Sequence, residues 1–423
     1  MSDVNHLVSI VVLGTREELV GPCLRAIAAA ADPSIPTETI VVANDGGGRL
    51  VELATSIDPD VVAVSPPANT GTAAGWNLGF DRARTPMVAL LHEDAEPRHG
   101  WLAPLVEAVS SGAAISGSRL LLPDGGIENG GWVIWRDGAM TQLDATTAPE
   151  VMARTEPYPV DTCSSAAMLV DRAVWEEAGG FDERSFPAMY VDVDLATACW
   201  ALGRRVVSVP RSVVTHRKNA MVREGGGTTR SFRYQRFLVE RGRARFAAKW
   251  EASLADHVER QDDRPAWEAD PAGVAVAVAQ AAERAGRPGA AVVSLRAERP
   301  LTEGPPEQLA ERLLGAQVTV LEVFADALVE DVTREVEAAR VAEREAALAE
   351  LERQDAGFRE HLERQDASFR EHLEEREANF RAQLADIGAE RDRALARLRA
   401  LEERRADGAV SRAGRALRRH DGV

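Results

Sequence analysis

The sequence has few cysteines, very few lysines and no long apolar segment. Its three cysteines are scattered without a Cys-x-x-Cys pair, which argues against a disulfide framework and against a zinc site. No apolar run approaches the ~20 residues of a membrane-spanning helix, and the N-terminus lacks a basic region followed by an apolar core. The net charge of −17 argues against nucleic-acid binding, which needs a basic face. We therefore expect a cytoplasmic protein, with peripheral contact at the inner face of the membrane left open.

The length of 423 residues is too great for one compact core, while a hydrophobic share of 45% allows sizeable cores. Composition changes along the chain and predicts four regions. They are an α/β domain (1–255), a Pro/Ala-rich linker or small α/β element with a helix over 272–285 (256–310), a long helix or coiled coil (311–405), and a basic tail (406–423). The residues of 256–310 suggest no role.

Short, β-branched apolar runs alternate with helical patterns in the first 120 residues. Residues 7–13 (LVSIVVL), 39–43 (TIVVA) and 88–91 (VALL) read as buried strands of a parallel sheet. Strand-helix-strand alternation of this kind predicts a right-handed, mostly parallel, Rossmann-like sheet flanked by helices.

Polar and small residues follow each of these strands. Glycine and asparagine there let the backbone approach a ligand closely, and acidic residues such as Glu93 and Asp94 suit Mg²⁺ or Mn²⁺. Ligands of open α/β sheets bind at this edge. The plain alternatives are ordinary turns and a solvated acidic loop. Neither a GxGxxG nor a Walker A pattern occurs, so a dinucleotide or P-loop site is disfavoured.

An ordered set of motifs resembles family 2 glycosyltransferases of the GT-A fold, over about residues 5–250. The motifs are SIVV, VVANDGGG, NTGTAAGWNLG, LLHEDAEPRHGWL, GGFDE, YVDVDL and PRSVVTH. The asparagine- and glycine-rich run and the paired glycines are most similar to the rhamnosyl- and galactofuranosyl-transferring branch.

This resemblance implies an inverting, metal-dependent transfer of a sugar from a nucleoside diphosphate to a hydroxyl of a cell-surface glycan or lipid-linked acceptor. Asp192 aligns with the family's catalytic base. Asp94, the last acid of the D-x-D motif, and His216 match its metal ligands, with Mn²⁺ or Mg²⁺ as the ion. The residues expected to bind the nucleotide sugar are Thr15, Asp45, Gly71, Asn77 and Glu93.

Several positions depart from the family pattern. His92 replaces the first acid of D-x-D, and Val191 replaces the glutamate that usually precedes the base. These changes motivate an alternative from another class, a catalytically degenerate scaffold. Asp192 and Asp194 also have a plain reading as acids at a helix N-terminus. A glycoside hydrolase, which also uses two carboxylates, ranks low because it has no need of nucleotide-type strand ends.

An internal repeat of eleven residues stands near the C-terminus. LERQDAGFREH, LERQDASFREH and LEEREANFRAQ follow one another directly from residue 351. Eleven residues make close to three helical turns, so leucine and phenylalanine form one narrow apolar stripe. Such a stripe on a charged helix predicts a homo-oligomeric coiled coil. A single long helix with Glu–Arg pairs is the alternative.

Overall fold

A computed structural model describes residues 7–45, 48–67, 69–144, 149–217, 229–260, 271–284, 336–344 and 358–417. The chain divides into two compact units, Met1–Leu309 and Ala310–Val423. Of the segment 256–310, for which the sequence predicts a linker or a small α/β element, the structure describes residues 256–260 and 271–284, both in the first unit; the rest lies outside the described residues. Among the helices of the described residues, none has the length and apolarity needed to cross a membrane.

The apolar runs of the first unit form a sheet of ten strands in the order β10-β12-β6-β11-β4-β1-β2-β3, in which β5 also pairs with β12 and β7 with β6. The strands of the described residues are β1 Val8–Gly14, β2 Thr37–Ala43, β3 Val62–Val64, β4 Met87–His92, β5 Ala95–Pro97, β6 Ala113–Leu121, β7 Ile127–Asn129, β8 Trp132–Ile134, β9 Met140–Gln142, β10 Tyr158–Pro159, β11 Ala167–Asp171 and β12 Arg205–His216. Strands β8 and β9 pair separately with each other.

The sheet is parallel on one side and mixed in the middle. Strand β1 lies parallel to β2 and to β4, as the alternating pattern predicts. Strand β11 runs antiparallel between β4 and β6. Its N-terminal end, with the preceding turn, therefore lies at the edge where β4 ends. This reversal brings a small-residue turn to the edge where α/β sheets bind their ligands.

Helices cover both faces of the sheet. They are α1 Glu17–Ala29, α2 Arg49–Ile57, α3 Thr72–Arg82, α4 Leu102–Ser110, α5 Pro149–Met152, α6 Arg172–Ala178, α7 Val191–Ala201, α8 Thr229–Lys249, α9 Glu251–Leu254 and α10 Pro271–Arg284. Alternate residues of β1 serve two separate cores, Val11 in one and Ile10 and Val12 in the other. Burial on both faces explains the continuous apolar runs of the sequence. The predicted α/β class with flanking helices is confirmed, and the sheet as a whole is mixed, with antiparallel as well as parallel pairings.

Helix α10 belongs to the first unit and packs on it by small residues. Ala277 and Ala281 are buried. Gly273 faces the ring of Trp135, and a Cβ added there would lie 3.5 Å from the ring atom Cη2, an ordinary van der Waals contact. Arg284, at the end of the helix, forms an ion pair with the buried Asp161. The predicted helix over 272–285 thus closes one side of the α/β unit.

In the second unit, residues 336–344 are helical, and one long helix, α11, runs from Phe358 to Leu417. Leu373, Phe380 and Leu384 of the repeat are half-buried and Ile387 is buried, while most of the residues between them are exposed. The predicted helix is present over these residues and continues into the predicted basic tail. Residues 311–335 and 345–357 of the prediction lie outside the described part of the chain.

Candidate active site and metal centre

The polar residues of the predicted site follow neighbouring strands and meet at one edge of the sheet. The last residue of β1, Gly14, pairs with the last residue of β2, Ala43. Leu13 of β1 pairs with His92, the last residue of β4. Because the strands are parallel, the segments that follow them emerge side by side.

A cluster of three potential metal ligands lies at this edge. One ligand atom from each of His92, Asp94 and His216 falls within 4.8 Å of the other two. Nε2 of His216 is 3.2 Å from Oδ1 of Asp94. The backbone sets this approach, since His216 pairs with Ala95 across the antiparallel β12–β5 ladder. The two predicted metal residues are thus brought together, with His92 beside them.

Glu128 orients the imidazole of His216. Its Oε2 lies 2.7 Å from Nδ1 of that ring, and both side chains are buried. A carboxylate on Nδ1 orients the ring so that Nε2 faces Asp94. Sequence reasoning missed Glu128, because it stands in a three-residue strand 88 positions before its partner and no spacing connects the two.

The charges of the cluster shift its pKa values. Burial lowers the pKa of His216, but hydrogen bonds and charges from Asp94 and Glu128 outweigh it and raise that pKa to about 9. For Asp94, burial raises the pKa, yet its hydrogen bond to His216 and the nearby histidine charges bring it below the usual value. For His92, burial dominates and lowers the pKa, which favours the neutral ring.

The donor set fits a divalent transition metal ion. It offers a carboxylate oxygen and imidazole nitrogens within one small space, and nitrogen with oxygen ligands suits Mn²⁺ and the later first-row ions. The carboxylate behind His216 is the outer partner that metal-binding histidines commonly have. Bound there, such an ion would supply Lewis-acid chemistry.

Two of the predicted donor-binding residues, Thr15 and Glu93, bind each other. The buried carboxylate of Glu93 accepts hydrogen bonds from the amide and hydroxyl of Thr15 and from the amide of Arg16. Burial raises the pKa of Glu93, and these hydrogen bonds oppose the rise. The pair joins the end of β1 to the end of β4 and so fixes the two strand ends that border the site.

Asn77 has no exposed surface, so the structure places it apart from a direct donor contact. Its amide donates to the carbonyl of Phe181 and to Glu183, and it accepts the amide of Phe181. It thereby ties α3 to the GGFDE segment.

Asp45 and Gly71 remain accessible at the edge. Asp45 is exposed directly after β2. Gly71 has φ +80°, and an added Cβ would lie 2.7 Å from the carbonyl oxygen of Pro187. The backbone there needs glycine for both reasons. Asn44 holds this turn through hydrogen bonds to Thr70 and to the Gly71 carbonyl.

The predicted base, Asp192, lies in the first turn of α7 and is half-buried. Its Oδ2 accepts the amide of Ser165 at 2.9 Å and the hydroxyl of Ser165 at 3.2 Å. The same hydroxyl is 3.5 Å from Nε2 of His92. The base candidate and the metal-type cluster are thus one side chain apart.

The backbone just before Asp192 is strained. Met189 and Tyr190 both have positive φ, 57° and 60°, which costs roughly 1–3 kcal/mol per non-glycine residue. The hydroxyl of Tyr190 donates to the carbonyl of Gly138, and its ring packs against Gly242 and Phe246 of α8. Packing by α8 holds the turn in the conformation that presents Asp192.

Asp194, two residues later, is a structural carboxylate. It is fully buried and accepts hydrogen bonds from Nζ of Lys249 at 3.0 Å and from the indole of Trp250 at 2.7 Å. Burial raises its pKa to about 6, although Lys249 and Trp250 oppose the rise. It docks the end of α8 onto α7.

Residues 9–177 match the family model described as Glycosyl transferase family 2. The match covers less than half of the chain and lies within the α/β unit, from β1 to α6. This match supports the predicted GT-A glycosyltransferase fold for that part of the chain. No curated protein matches the sequence.

Three solved structures show a partial likeness to this chain. GalNAc-T7, solved with UDP, GalNAc and Mn²⁺, is 14% identical with a TM-score of 0.43, over 51% of this chain and 44% of that one. The mannosyltransferase PcManGT of Pyrobaculum calidifontis, in complex with GDP-Man and Mn²⁺, is 16% identical with a TM-score of 0.37, over 66% and 81%. TarS of S. aureus is 12% identical with a TM-score of 0.33, over 50% and 35%. This chain spans less than half of the first and third, and the likeness says nothing of its substrates.

Proposed function

We propose that this glycosyltransferase transfers a sugar from a nucleoside diphosphate donor to an acceptor hydroxyl, with inversion and with the help of a divalent metal ion. The observation that carries the proposal is the spacing of two groups. A cluster suited to a metal ion lies one serine away from a half-buried carboxylate. Diphosphate departure needs the first group and hydroxyl attack needs the second.

Each side chain then has a stated task. Asp94 and His216 would hold the ion, and Glu128 keeps the His216 ring turned toward Asp94. Asp192 would take the proton of the attacking hydroxyl as the new bond forms. Ser165 fixes the direction of that carboxylate.

For donor recognition we propose Asp45 and the turn at Gly71, which are accessible at the sheet edge. Asn77 and the Glu93–Thr15 pair act behind them by holding the ends of α3, β1 and β4. The resemblance to rhamnosyl- and galactofuranosyl-transferring enzymes motivates nucleotide-activated rhamnose and galactofuranose as the first donors to test.

We further propose a glycan or lipid-linked acceptor at the cytoplasmic face of the membrane, in cell-surface polysaccharide synthesis. The repeat of α11 supports a homo-oligomer. Its narrow apolar stripe on an otherwise charged helix is typical of a coiled coil, in which the stripe is buried against a partner helix. No nucleic-acid partner is proposed, in keeping with the net charge of −17.

Calorimetric titration with a panel of sugar nucleotides tests the enzyme against the scaffold. The full chain is titrated with each donor in Mn²⁺ and again in EDTA. Tight binding of one donor that is lost in EDTA supports the transferase. Failure of every donor to bind in both conditions would overturn it and favour a scaffold acting through α11.

A further inference from the structure

We propose that His92 is a third metal ligand and that it sets which ion the site accepts, selecting Mn²⁺, Fe²⁺ or Co²⁺ over Mg²⁺. This inference rests on the metal-assisted function proposed above and names the class of its ion. In the sequence, His92 stands where the D-x-D motif has its first acid. In the structure, its ring lies beside Asp94 and His216, where an imidazole nitrogen can take the place of that acid as a metal ligand.

The geometry supports ligation by all three residues. His92 ends β4 and Asp94 lies two positions later, just before β5, and both side chains contribute atoms to the cluster with His216. Glu93, between them, points away to Thr15. The rings of His92 and His216 stand 6.1 Å apart at 66°, so two imidazoles approach one space from different directions.

The ring of His92 is held in place. It stacks on the buried indole of Trp76, with centroids 5.9 Å apart and planes 19° from parallel. The backbone amide of His92 donates to the carbonyl of Ala166 across the β4–β11 boundary. A ligand fixed in this way keeps its place before the ion arrives, which favours binding.

The donor set differs in kind from two carboxylates and one histidine. Mg²⁺ is a hard ion that prefers oxygen ligands, whereas imidazole suits the later first-row ions. Replacing one carboxylate by an imidazole also removes one negative charge from the set. Two histidines with one carboxylate are an arrangement that Fe²⁺ and related ions accept. Histidine at this position therefore weakens the binding of Mg²⁺ and preserves the binding of the ions from Mn²⁺ to Co²⁺.

The test measures metal binding on the full chain, separately from transfer activity. Mn²⁺ is titrated by electron paramagnetic resonance, and Mg²⁺ and Co²⁺ are then added as competitors. We expect Co²⁺ to displace Mn²⁺ and Mg²⁺ to require at least about a hundredfold higher concentration. Pulsed resonance on the Mn²⁺ complex should show coupling to two imidazole nitrogens.

Three variants complete the test. His92→Ala should weaken Mn²⁺ by more than about tenfold, while His99→Ala, at an exposed histidine, should leave it unchanged. His92→Asp should bring Mg²⁺ into competition with Mn²⁺ and remove one of the two nitrogen couplings. The coupling measured in the wild type does not depend on any variant folding.

The outcomes separate this inference from the function beneath it. Equal competition by Mg²⁺ in the wild type, or a single nitrogen coupling, would overturn the role of His92 and leave a metal-dependent transferase. Absence of any divalent ion binding would overturn both. Metal binding with two nitrogens, but no binding of any sugar nucleotide, would overturn the transferase and leave the metal site.

Discussion

One oxygen of Asp192 accepts both the backbone amide and the hydroxyl of Ser165, at 2.9 and 3.2 Å. Ser165 precedes β11, and Asp192 opens α7, 27 positions later in the chain. The double contact fixes the carboxylate against the sheet edge, so a hydroxyl would approach it from one side. Asp192 and Ser165 can therefore be tested separately, as the base and as the residue that directs it.

Asp192→Asn should reduce kcat by about 10²–10⁴-fold, because the amide cannot accept the acceptor's proton. Donor binding should remain within about twofold, since the shape of the side chain is kept. Transfer rates and donor calorimetry are measured together. Asp60→Asn, at an exposed position, is the control. Wild-type turnover in Asp192→Asn would remove Asp192 from the mechanism.

Ser165→Ala should lower kcat by roughly tenfold, which corresponds to about one hydrogen bond. The backbone amide of residue 165 still binds Asp192, so the loss should be partial, and the KM for the donor should not change. Steady-state kinetics separate the two quantities. The neighbouring Ser164→Ala serves as the matched control, and an equal effect in both variants would contradict a directing role for Ser165.

Glu128→Leu should weaken Mn²⁺ binding by about 10–100-fold, because His216 loses the carboxylate that orients it. Glu128→Gln should lose less, since its amide oxygen can still accept from Nδ1. Mn²⁺ calorimetry at fixed pH measures both. Circular dichroism confirms that each variant is folded. If Glu128→Leu and Glu128→Gln weaken Mn²⁺ binding equally, the hydrogen bond between residue 128 and Nδ1 of His216 does not contribute to metal binding.

Lys249→Met should destabilise the α/β unit by about 3–5 kcal/mol at pH 8, because Asp194 stays buried with its charge unpaired. Burial raises the pKa of Asp194 to about 6, against an ordinary value of 3.8. The carboxyl's contribution is therefore most favourable at low pH and declines as the pH rises through this window. Removal of Lys249 moves the folded pKa higher still.

The destabilisation by Lys249→Met should consequently be smaller at pH 5 than at pH 8. Urea unfolding at both values, with the wild type alongside, measures the difference. When Lys249→Met is instead introduced into Asp194→Asn, the change in the free energy of unfolding should be the same at pH 5 and at pH 8. A destabilisation by Lys249→Met that is independent of pH would show that Asp194 is not the group responsible.

Phe380→Glu in α11 should dissociate the proposed homo-oligomer, because a charge would enter the apolar stripe of the repeat. Glu375→Gln, on the exposed side of the same helix, should leave the assembly intact. Analytical ultracentrifugation of the full chain gives the mass of each. A wild type that sediments as a monomer would refute the coiled-coil proposal and favour the single helix.

Hydrophobic pattern alone predicted β1, β2 and β4 and their alternation with helices, because buried strands and amphipathic helices are local properties of the chain. The antiparallel insertion of β11 was not predicted, since pairing partners depend on the order in which strands enter the sheet. The helix α10 was expected, but its place against Trp135 depends on contacts more than a hundred residues apart along the chain.

For the site, sequence by itself determined which chemistry is present: acids and a histidine at strand ends, with Asp94, His216 and Asp192 in recognisable motifs. Tertiary structure decided which polar residues line the site and which hold other elements in position. It turned Glu93 and Asn77 inward as positioning groups, and it brought His92 and the unforeseen Glu128 to His216. The physical reason is that a side chain's role depends on which strands become neighbours, and spacing along the chain does not encode that.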